Sequence, residues 1–175
     1  MKFKQLKIKG AYLITPEFIK DERGFFARTA CAREFKKNGL LSHWPQHSIS
    51  FNKAKGTLRG MHFQPQPYGE IKLVRCTQGA IFDVLVDLRP RSKTFRRWVG
   101  VELSAANRKL IYIPKGVAHG FQTLTPNTEI FYLISEFFRA DKARGVRWDD
   151  TAVGIHWPKG RRLISKRDRA FEDLT

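Results

Sequence analysis

Short apolar segments with a two-residue period are the feature that most constrains the fold of this chain. Four of them are rich in β-branched and aromatic residues: 80–88 (AIFDVLVDL), 98–103 (WVGVEL), 110–113 (LIYI) and 129–138 (EIFYLISEFF). Turn-forming residues separate the segments, at 89–92, 104–107, 114–116 and 125–127. Many short strands at this spacing are typical of an antiparallel sandwich or barrel. The sequence therefore predicts an all-β fold.

Outside these segments, the sequence predicts only short peripheral secondary structure. The stretch Cys31–Asn38 has a helical pattern, because Cys31 and Phe35 are four residues apart and Gly39 follows. A chain of 175 residues fits one domain, and no repeat or linker divides it. We therefore expect a single domain over residues 1–175, with a basic C-terminal segment, about 157–175, packed on it.

The formal net charge of +17 raises the question of an anionic partner. A nucleic acid or a membrane surface is one interpretation, and a solvated basic exterior that concentrates small anions is the other. The basic residues are scattered, without the basic helices, zinc-finger spacings or aromatic–basic strands of nucleic-acid-binding proteins. A nucleic acid is therefore the less favoured partner.

Cysteine content and hydropathy predict where the protein works. The two cysteines, Cys31 and Cys76, are too few for a disulfide framework, which indicates a reducing, cytoplasmic compartment. The start of the chain has no apolar run like that of a signal peptide, and no stretch approaches 18 uncharged apolar residues. We expect no association with a membrane.

The stretch 57–64 (TLRGMHFQ) is the first indication of a functional site. In a straight strand Arg59 and His62 would point to opposite faces, because side chains alternate. A twist or bulge at Gly60 would bring both side chains towards one cavity.

Two segments, Gly56–Gln64 followed by Glu70 and then Pro114–Phe121, have a pattern that resembles the two motifs of the cupin superfamily. Cupins are small jelly-roll barrels with a ligand cavity inside. Those that hold a metal use a His-x-His, a Glu and a histidine of the second motif. Here Gln64 stands at the second histidine position, so the resemblance implies a cupin-type barrel of antiparallel strands without a catalytic metal.

Six motifs in order resemble those of the dTDP-4-dehydrorhamnose 3,5-epimerase family, over roughly residues 5–170: 21–26 (DERGFF), 56–64 (GTLRGMHFQ), 71–75 (IKLVR), 83–89 (DVLVDLR), 114–121 (PKGVAHGF) and 155–158 (IHWP). The resemblance implies inversion at C3 and C5 of a nucleotide-linked 4-keto-6-deoxy sugar, without any cofactor. It also implies a homodimer.

The same resemblance implies a role for each of several residues. His62 would be the base and Asp168 its carboxylate partner, Tyr132 the acid on the opposite face, and Lys72 the cation near the enolate oxygen. The positions that it implies for substrate binding are Arg23, Gln46, Ser48, Arg59, Lys72, His119 and Arg167.

Taken singly, these residues have structural interpretations as well. A lone tyrosine such as Tyr132 commonly belongs to a core, an aspartate such as Asp168 in a basic tail to a solvated ion pair, and Lys72 to a strand face in water. Two functional alternatives also stay open: an epimerase that inverts C3 alone, and a non-catalytic cupin that binds an anionic sugar or nucleic acid.

Some positions depart from the family pattern. Arg28 replaces an acidic residue, Ser48 an asparagine, Ala143 a glutamate and Phe138 a tyrosine. The sequence therefore supports the sugar chemistry better than it supports thymidine as the base.

Overall fold

The computed structural model describes residues 1–174, and most of its strands belong to two sheets. The first sheet has the strand order β1-β2-β10-β7-β12-β5, all antiparallel, with these bounds: β1 Lys2–Gln5, β2 Tyr12–Thr15, β5 Gln46–Asn52, β7 Lys72–Gln78, β10 Leu110–Ile113 and β12 Thr128–Ile134.

The second sheet has the order β13-β6-β11-β8-β9, with β14 attached to β6. Its strands are β6 Thr57–Phe63, β8 Ala80–Asp87, β9 Trp98–Ser104, β11 Val117–Thr123, β13 Arg144–Gly145 and β14 Leu163–Ile164. Only the short β14 runs parallel to its neighbour within the part of the chain that the structure describes.

A hairpin and two short helices complete the part of the chain that the structure describes. The strands β3 (Phe18–Asp21) and β4 (Gly24–Ala27) pair with each other and form a separate hairpin. The helix α1 spans Ala32–Lys37, within the stretch in which the sequence predicts a helix, and α2 spans Lys166–Arg169. Gly39 has a φ of +68°, a conformation that glycine adopts easily and that ends many helices.

The two sheets face each other across an apolar interior. Val74 and Ile130 of the first sheet and Leu85 and Phe121 of the second belong to one buried cluster. β8 is apolar on both faces, since Leu85 points into this interior while Val84 packs in a second cluster on the other side of the sheet. This double burial explains why its sequence reads as a nearly continuous apolar run.

Other parts of the chain cover the outer faces of the sheets. Phe35 of α1 packs on the first sheet beside Tyr112, with ring centroids 6.1 Å apart. Trp157 and Ile164 of the C-terminal segment are buried against the outer face of the second sheet. The prediction of an all-β, cupin-type barrel with few short helices is confirmed.

One strand is shorter than the sequence predicts. The apolar run 129–138 indicates a strand to its end, but β12 stops at Ile134. There the Ser135 hydroxyl accepts a hydrogen bond from the backbone of Ile71, and Phe137 and Phe138 are 59% and 53% exposed. Among residues 1–174, no helix has the length and apolar character needed to cross a membrane.

Candidate active site

A cavity of about 400 Å³ opens between the two sheets. The following residues that the sequence analysis selected line it: Gln46, Ser48, Arg59, His62, Lys72, His119, Tyr132 and Arg167. The first sheet supplies Gln46, Ser48, Lys72 and Tyr132, and the second supplies Arg59, His62 and His119. The cavity therefore has two walls of different composition.

An extra residue in β6 explains why Arg59 and His62 face the same cavity. His119 and Phe121 of β11 are two residues apart, but their partners on β6, His62 and Arg59, are three apart. This difference is a β-bulge at the Gly60 position, and a bulge shifts the alternation of side chains by one residue. The sequence predicts such a distortion at Gly60, and the structure has it.

Glycine is required at the bulge for two reasons. Gly60 has a φ of +128°, which side-chain-bearing residues rarely adopt, and a Cβ on it would lie 2.5 Å from the Cα of Gly120. The residue added by a bulge is left out of the ladder. The N–H of Gly60 instead donates to Oδ2 of Asp168, at 3.3 Å.

His62 and Asp168 form a hydrogen-bonded pair, with Nε2 of His62 2.8 Å from Oδ1 of Asp168. Burial opposes the charged form of Asp168, but hydrogen bonds from His62, Gly60 and Ser165 lower its pKa below the usual value. An ionised carboxylate only accepts hydrogen bonds, so Nε2 carries the proton and Nδ1 carries the free lone pair. This arrangement is that of an imidazole base oriented by a carboxylate.

A second histidine–aspartate pair lies on the same wall. Nε2 of His119 is 2.8 Å from Oδ2 of Asp83, and both side chains are almost completely buried. Burial raises the pKa of Asp83, while His119 acts in the opposite direction. Sequence reasoning missed this partner, although an acidic residue inside an apolar strand is itself a signal, because a buried carboxylate needs a donor.

Tyr132 lies on the opposite wall, in the first sheet, with its ring centroid 6.2 Å from that of His119. Burial, together with the nearby charge of Asp83, raises the pKa of the Tyr132 phenol, and Arg59 acts in the opposite direction. The phenol is therefore protonated at neutral pH and can donate a proton into the cavity.

Lys72 is held in the same wall by an ion pair. Its Nζ is 2.8 Å from Oε1 of Glu70, and both side chains are largely buried. The Gln64 amide donates to Oε2 of Glu70 at 3.2 Å and accepts from the backbone N–H of Arg139 at 2.8 Å. Gln64 and Glu70, two of the cupin metal positions, thus bond to each other, whereas His62 and His119 pair with aspartates. Among residues 1–174 no three His, Cys, Asp or Glu side chains are grouped to hold a metal.

The cavity favours an anion. Arg59 is fixed by a 2.8 Å hydrogen bond from its Nε to Oδ1 of Asn52, and Arg144 and Arg167 line the mouth beside it. Of the lining residues, Glu70 alone carries a carboxylate. Sequence reasoning missed Asn52 and Arg144, which lie outside the six motifs.

Arg23, which the resemblance implies for substrate binding, and Arg28, which departs from the family pattern, both lie away from the cavity. Arg23 is at the tip of the β3–β4 hairpin, where its side chain is 84% exposed and pairs with Asp21 at 2.6 Å. Arg28, which follows the same hairpin, is exposed and does not line the cavity either. Of the other departures from the family pattern, Ser48, Phe138 and Ala143 all line it.

Comparisons with known proteins agree on one family. The sequence model described as dTDP-4-dehydrorhamnose 3,5-epimerase matches residues 5–175. The protein of that name from Sinorhizobium fredii is 43% identical over 175 residues, which cover 99% of this chain and 90% of the relative.

Two solved structures with the same name superpose closely on this chain. The structure from Elizabethkingia anophelis has a TM-score of 0.96 and 34% identity, covering 99% of this chain and 96% of the other. The structure from Bacillus anthracis, solved with TDP and PPi bound, has a TM-score of 0.95 and 39% identity, covering 99% of both chains.

Proposed function

This chain belongs to the dTDP-4-dehydrorhamnose 3,5-epimerase family, and we propose that it converts dTDP-4-dehydro-6-deoxy-D-glucose to dTDP-4-dehydro-L-rhamnose by inverting C3 and C5. The observation that carries the proposal is the placement of three groups in one cavity. The His62–Asp168 pair lies on one wall, and Tyr132 and Lys72 lie on the other.

Proton abstraction is the first step of the proposed reaction. The ketone at C4 acidifies the hydrogens at C3 and C5, and the free Nδ1 of His62 takes one of them. The electron pair of the broken C–H bond moves to the C4 oxygen and forms an enolate. Asp168, which is already ionised, stabilises the imidazolium that results.

The enolate then receives a proton on the opposite face. Lys72 is a compact cation that stabilises the negative C4 oxygen. The phenol of Tyr132 gives its proton to the carbon, which restores the ketone with inverted configuration. His62, whose side chain is 41% exposed, returns its proton to water, and the tyrosinate takes one up. Repetition at the second carbon completes the double inversion.

The cationic residues fit the nucleotide part of this substrate. A diphosphate would lie against the fork of Arg59, which binds phosphoryl oxygens in pairs, with His119 beside it. Gln46, Ser48 and Arg167 are the further substrate contacts that we propose. The TDP and PPi bound by the relative from Bacillus anthracis support an anionic ligand of this class. We assign no cofactor, since the C4 ketone itself accepts the electrons.

Proton NMR in heavy water tests the activity. The protein is incubated with dTDP-4-dehydro-6-deoxy-D-glucose, and we expect deuterium at both C3 and C5 together with a new L-configured product. His62→Ala is the control, which should abolish the exchange while the thermal unfolding stays two-state. Exchange and inversion at C3 alone would contradict the proposal and identify a C3 epimerase. Nucleotide-sugar binding without exchange would identify a non-catalytic cupin.

We also propose that the protein is a cytoplasmic homodimer. Ile49 and Phe51 of the edge strand β5 are 66% and 46% exposed, and Ile19 and Phe26 of the β3–β4 hairpin are 68% and 63% exposed. Apolar side chains exposed on an edge strand and on a hairpin favour burial against a partner. A second copy that covers the hairpin would also bring a cavity near the exposed Arg23.

Sedimentation of wild type and Ile49→Asp tests the assembly. A dimer that the substitution converts to a monomer supports the proposal, because a carboxylate in the interface would lack a partner. A wild-type monomer over the micromolar range would contradict it.

A further inference from the structure

A second concave surface lies apart from the catalytic cavity. It has a volume of about 540 Å³ and is lined by five cationic side chains, those of Lys7, Lys9, Arg89, Arg91 and Lys93. We call this surface the basic basin. The turn between β1 and β2 supplies two of the cations, and the loop after β8 supplies the other three. The basin and the catalytic cavity share no lining residue.

The loop after β8 is fixed in place by one buried carboxylate. Asp87, which is fully buried, accepts hydrogen bonds from Nε and Nη2 of Arg89, each at 2.8 Å. It also accepts from the hydroxyls of Ser92 and Thr94, each at 2.6 Å, and these two residues complete the lining of the basin. The backbone that carries Arg91 and Lys93 is therefore held before any ligand arrives.

The remaining four cations of the basin lack a counterion. Within residues 1–174, the side chains of Lys7, Lys9, Arg91 and Lys93 make no hydrogen bond or ion pair. Like charges that line one concave surface repel one another and raise the local concentration of anions. The basin therefore has the electrostatic character of a site for a multiply charged anion.

The composition of the lining defines the class of that anion. Lysine and arginine together are the side chains that recognise phosphoryl oxygens. The lining contains no aromatic ring on which a base could stack and no carboxylate that could hold a metal. Its volume is within the range of small-molecule sites, about 300–1,000 Å³. We propose that the basic basin binds a small anion with two or more linked phosphoryl groups.

Residue-resolved NMR tests the proposal. The uniformly ¹⁵N-labelled full chain is titrated with sodium tripolyphosphate in 0.1 M salt, and TROSY spectra are recorded. We expect saturable shifts of the amides at residues 7–9 and 89–94. The same spectra report separately on the amides around the catalytic cavity, so a failure here is distinguishable from a failure of the proposed activity.

Two double substitutions with equal change of charge supply the comparison. Arg91→Glu/Lys93→Glu should weaken binding at the basin by at least about tenfold, since two charge-assisted contacts become repulsive. Lys53 and Lys55 lie in the β5–β6 turn, at the opposite end of the barrel. Lys53→Glu/Lys55→Glu should therefore change the affinity of the basin for tripolyphosphate by less than about twofold. If the first variant fails to fold, Lys7→Glu/Lys9→Glu provides the same test.

Two results of the tripolyphosphate titrations would overturn the proposal. One is the absence of saturable shifts at the basin, and the other is equal weakening by both double substitutions, which would indicate general attraction to a basic surface. Adenosine triphosphate distinguishes a free oligophosphate from a nucleotide. Binding of adenosine triphosphate at the basin less than about tenfold tighter than that of tripolyphosphate supports recognition of phosphoryl groups alone, whereas binding at least about tenfold tighter would require contacts to the base and contradict it.

Discussion

Replacing Asp168 with asparagine should slow the reaction without disturbing the fold. The new amide side chain would be nearly isosteric with the carboxylate, but its NH₂ group could face Nε2 of His62 only if that nitrogen had lost its proton. The imidazole would then carry its proton on Nδ1, the atom that must take the substrate hydrogen. The substitution therefore lowers the reaction rate by changing the tautomer of His62 and removing the charge of Asp168, while the packing stays intact.

The size of the effect follows from the 2.8 Å bond between Nε2 of His62 and Oδ1 of Asp168. A hydrogen bond to a charged group contributes about 1.5–3 kcal/mol, which corresponds to about 10- to 150-fold in rate. Because the His62 side chain is 41% exposed, water screens part of this interaction, and the lower half of the range is expected.

The assay is the rate of deuterium entry at C3 and C5 under saturating substrate, with Asp149→Asn as the matched control. Asp149 is an exposed carboxylate that pairs with Arg147 at 2.7 Å, so its replacement removes a charge and an ion pair away from the cavity. The control should stay within about twofold of wild type, because exposed pairs contribute little. A rate for Asp168→Asn within about threefold of wild type would refute the assignment of the pair.

Three further outcomes are expected. Tyr132→Phe should retain deuterium exchange at the substrate carbons while losing most inversion, which NMR of the product separates, and equal loss of both would assign Tyr132 to positioning. Gly60→Ala should destabilise the protein by at least about 2 kcal/mol in denaturant unfolding, since its Cβ would meet the backbone of Gly120 at 2.5 Å; an unchanged midpoint would contradict this. Burial opposes ionisation of Asp87, but hydrogen bonds lower its pKa to about 2, so its contribution, about 2.5 kcal/mol, should be present above about pH 4 and lost as the pH falls through about 2. The difference in unfolding free energy between wild type and Asp87→Asn should therefore shrink from about pH 7 to about pH 2, and a constant difference would exclude this linkage.

The sequence predicted the positions of the strands well, but it predicted less well the residues at which they end. β8 follows its apolar run to Asp87, because both of its faces are buried. β12 ends before its apolar run does. The Ser135 hydroxyl, and not its backbone carbonyl, accepts the hydrogen bond from the backbone of Ile71, and the pattern of apolar residues does not predict such a change. The bulge at Gly60 was predictable, because Arg59 and His62 would point to opposite faces of a straight strand and a glycine lies between them.

The contacts that assemble the site join residues distant in sequence, which local patterns do not reveal. His62 and Asp168 are 106 residues apart, and only the family resemblance related them. His119 and Asp83 are 36 residues apart, and their pairing was not predicted. Arg23 lies on a hairpin whose two strands pair only with each other, and its side chain pairs with Asp21, away from the cavity.

The close contact between Gly60 and Gly120 means that neither position can accept a larger residue, whereas other positions around the cavity can change. Added atoms at either glycine would push β6 from β11, and the two histidines paired across these strands would separate. Compensating substitutions cannot help, because the obstacle on each side includes backbone. Any divergence in the sugar that such a scaffold accepts must therefore arise elsewhere, above all at Phe138, Ala143 and Arg144, which border the cavity outside the central strands.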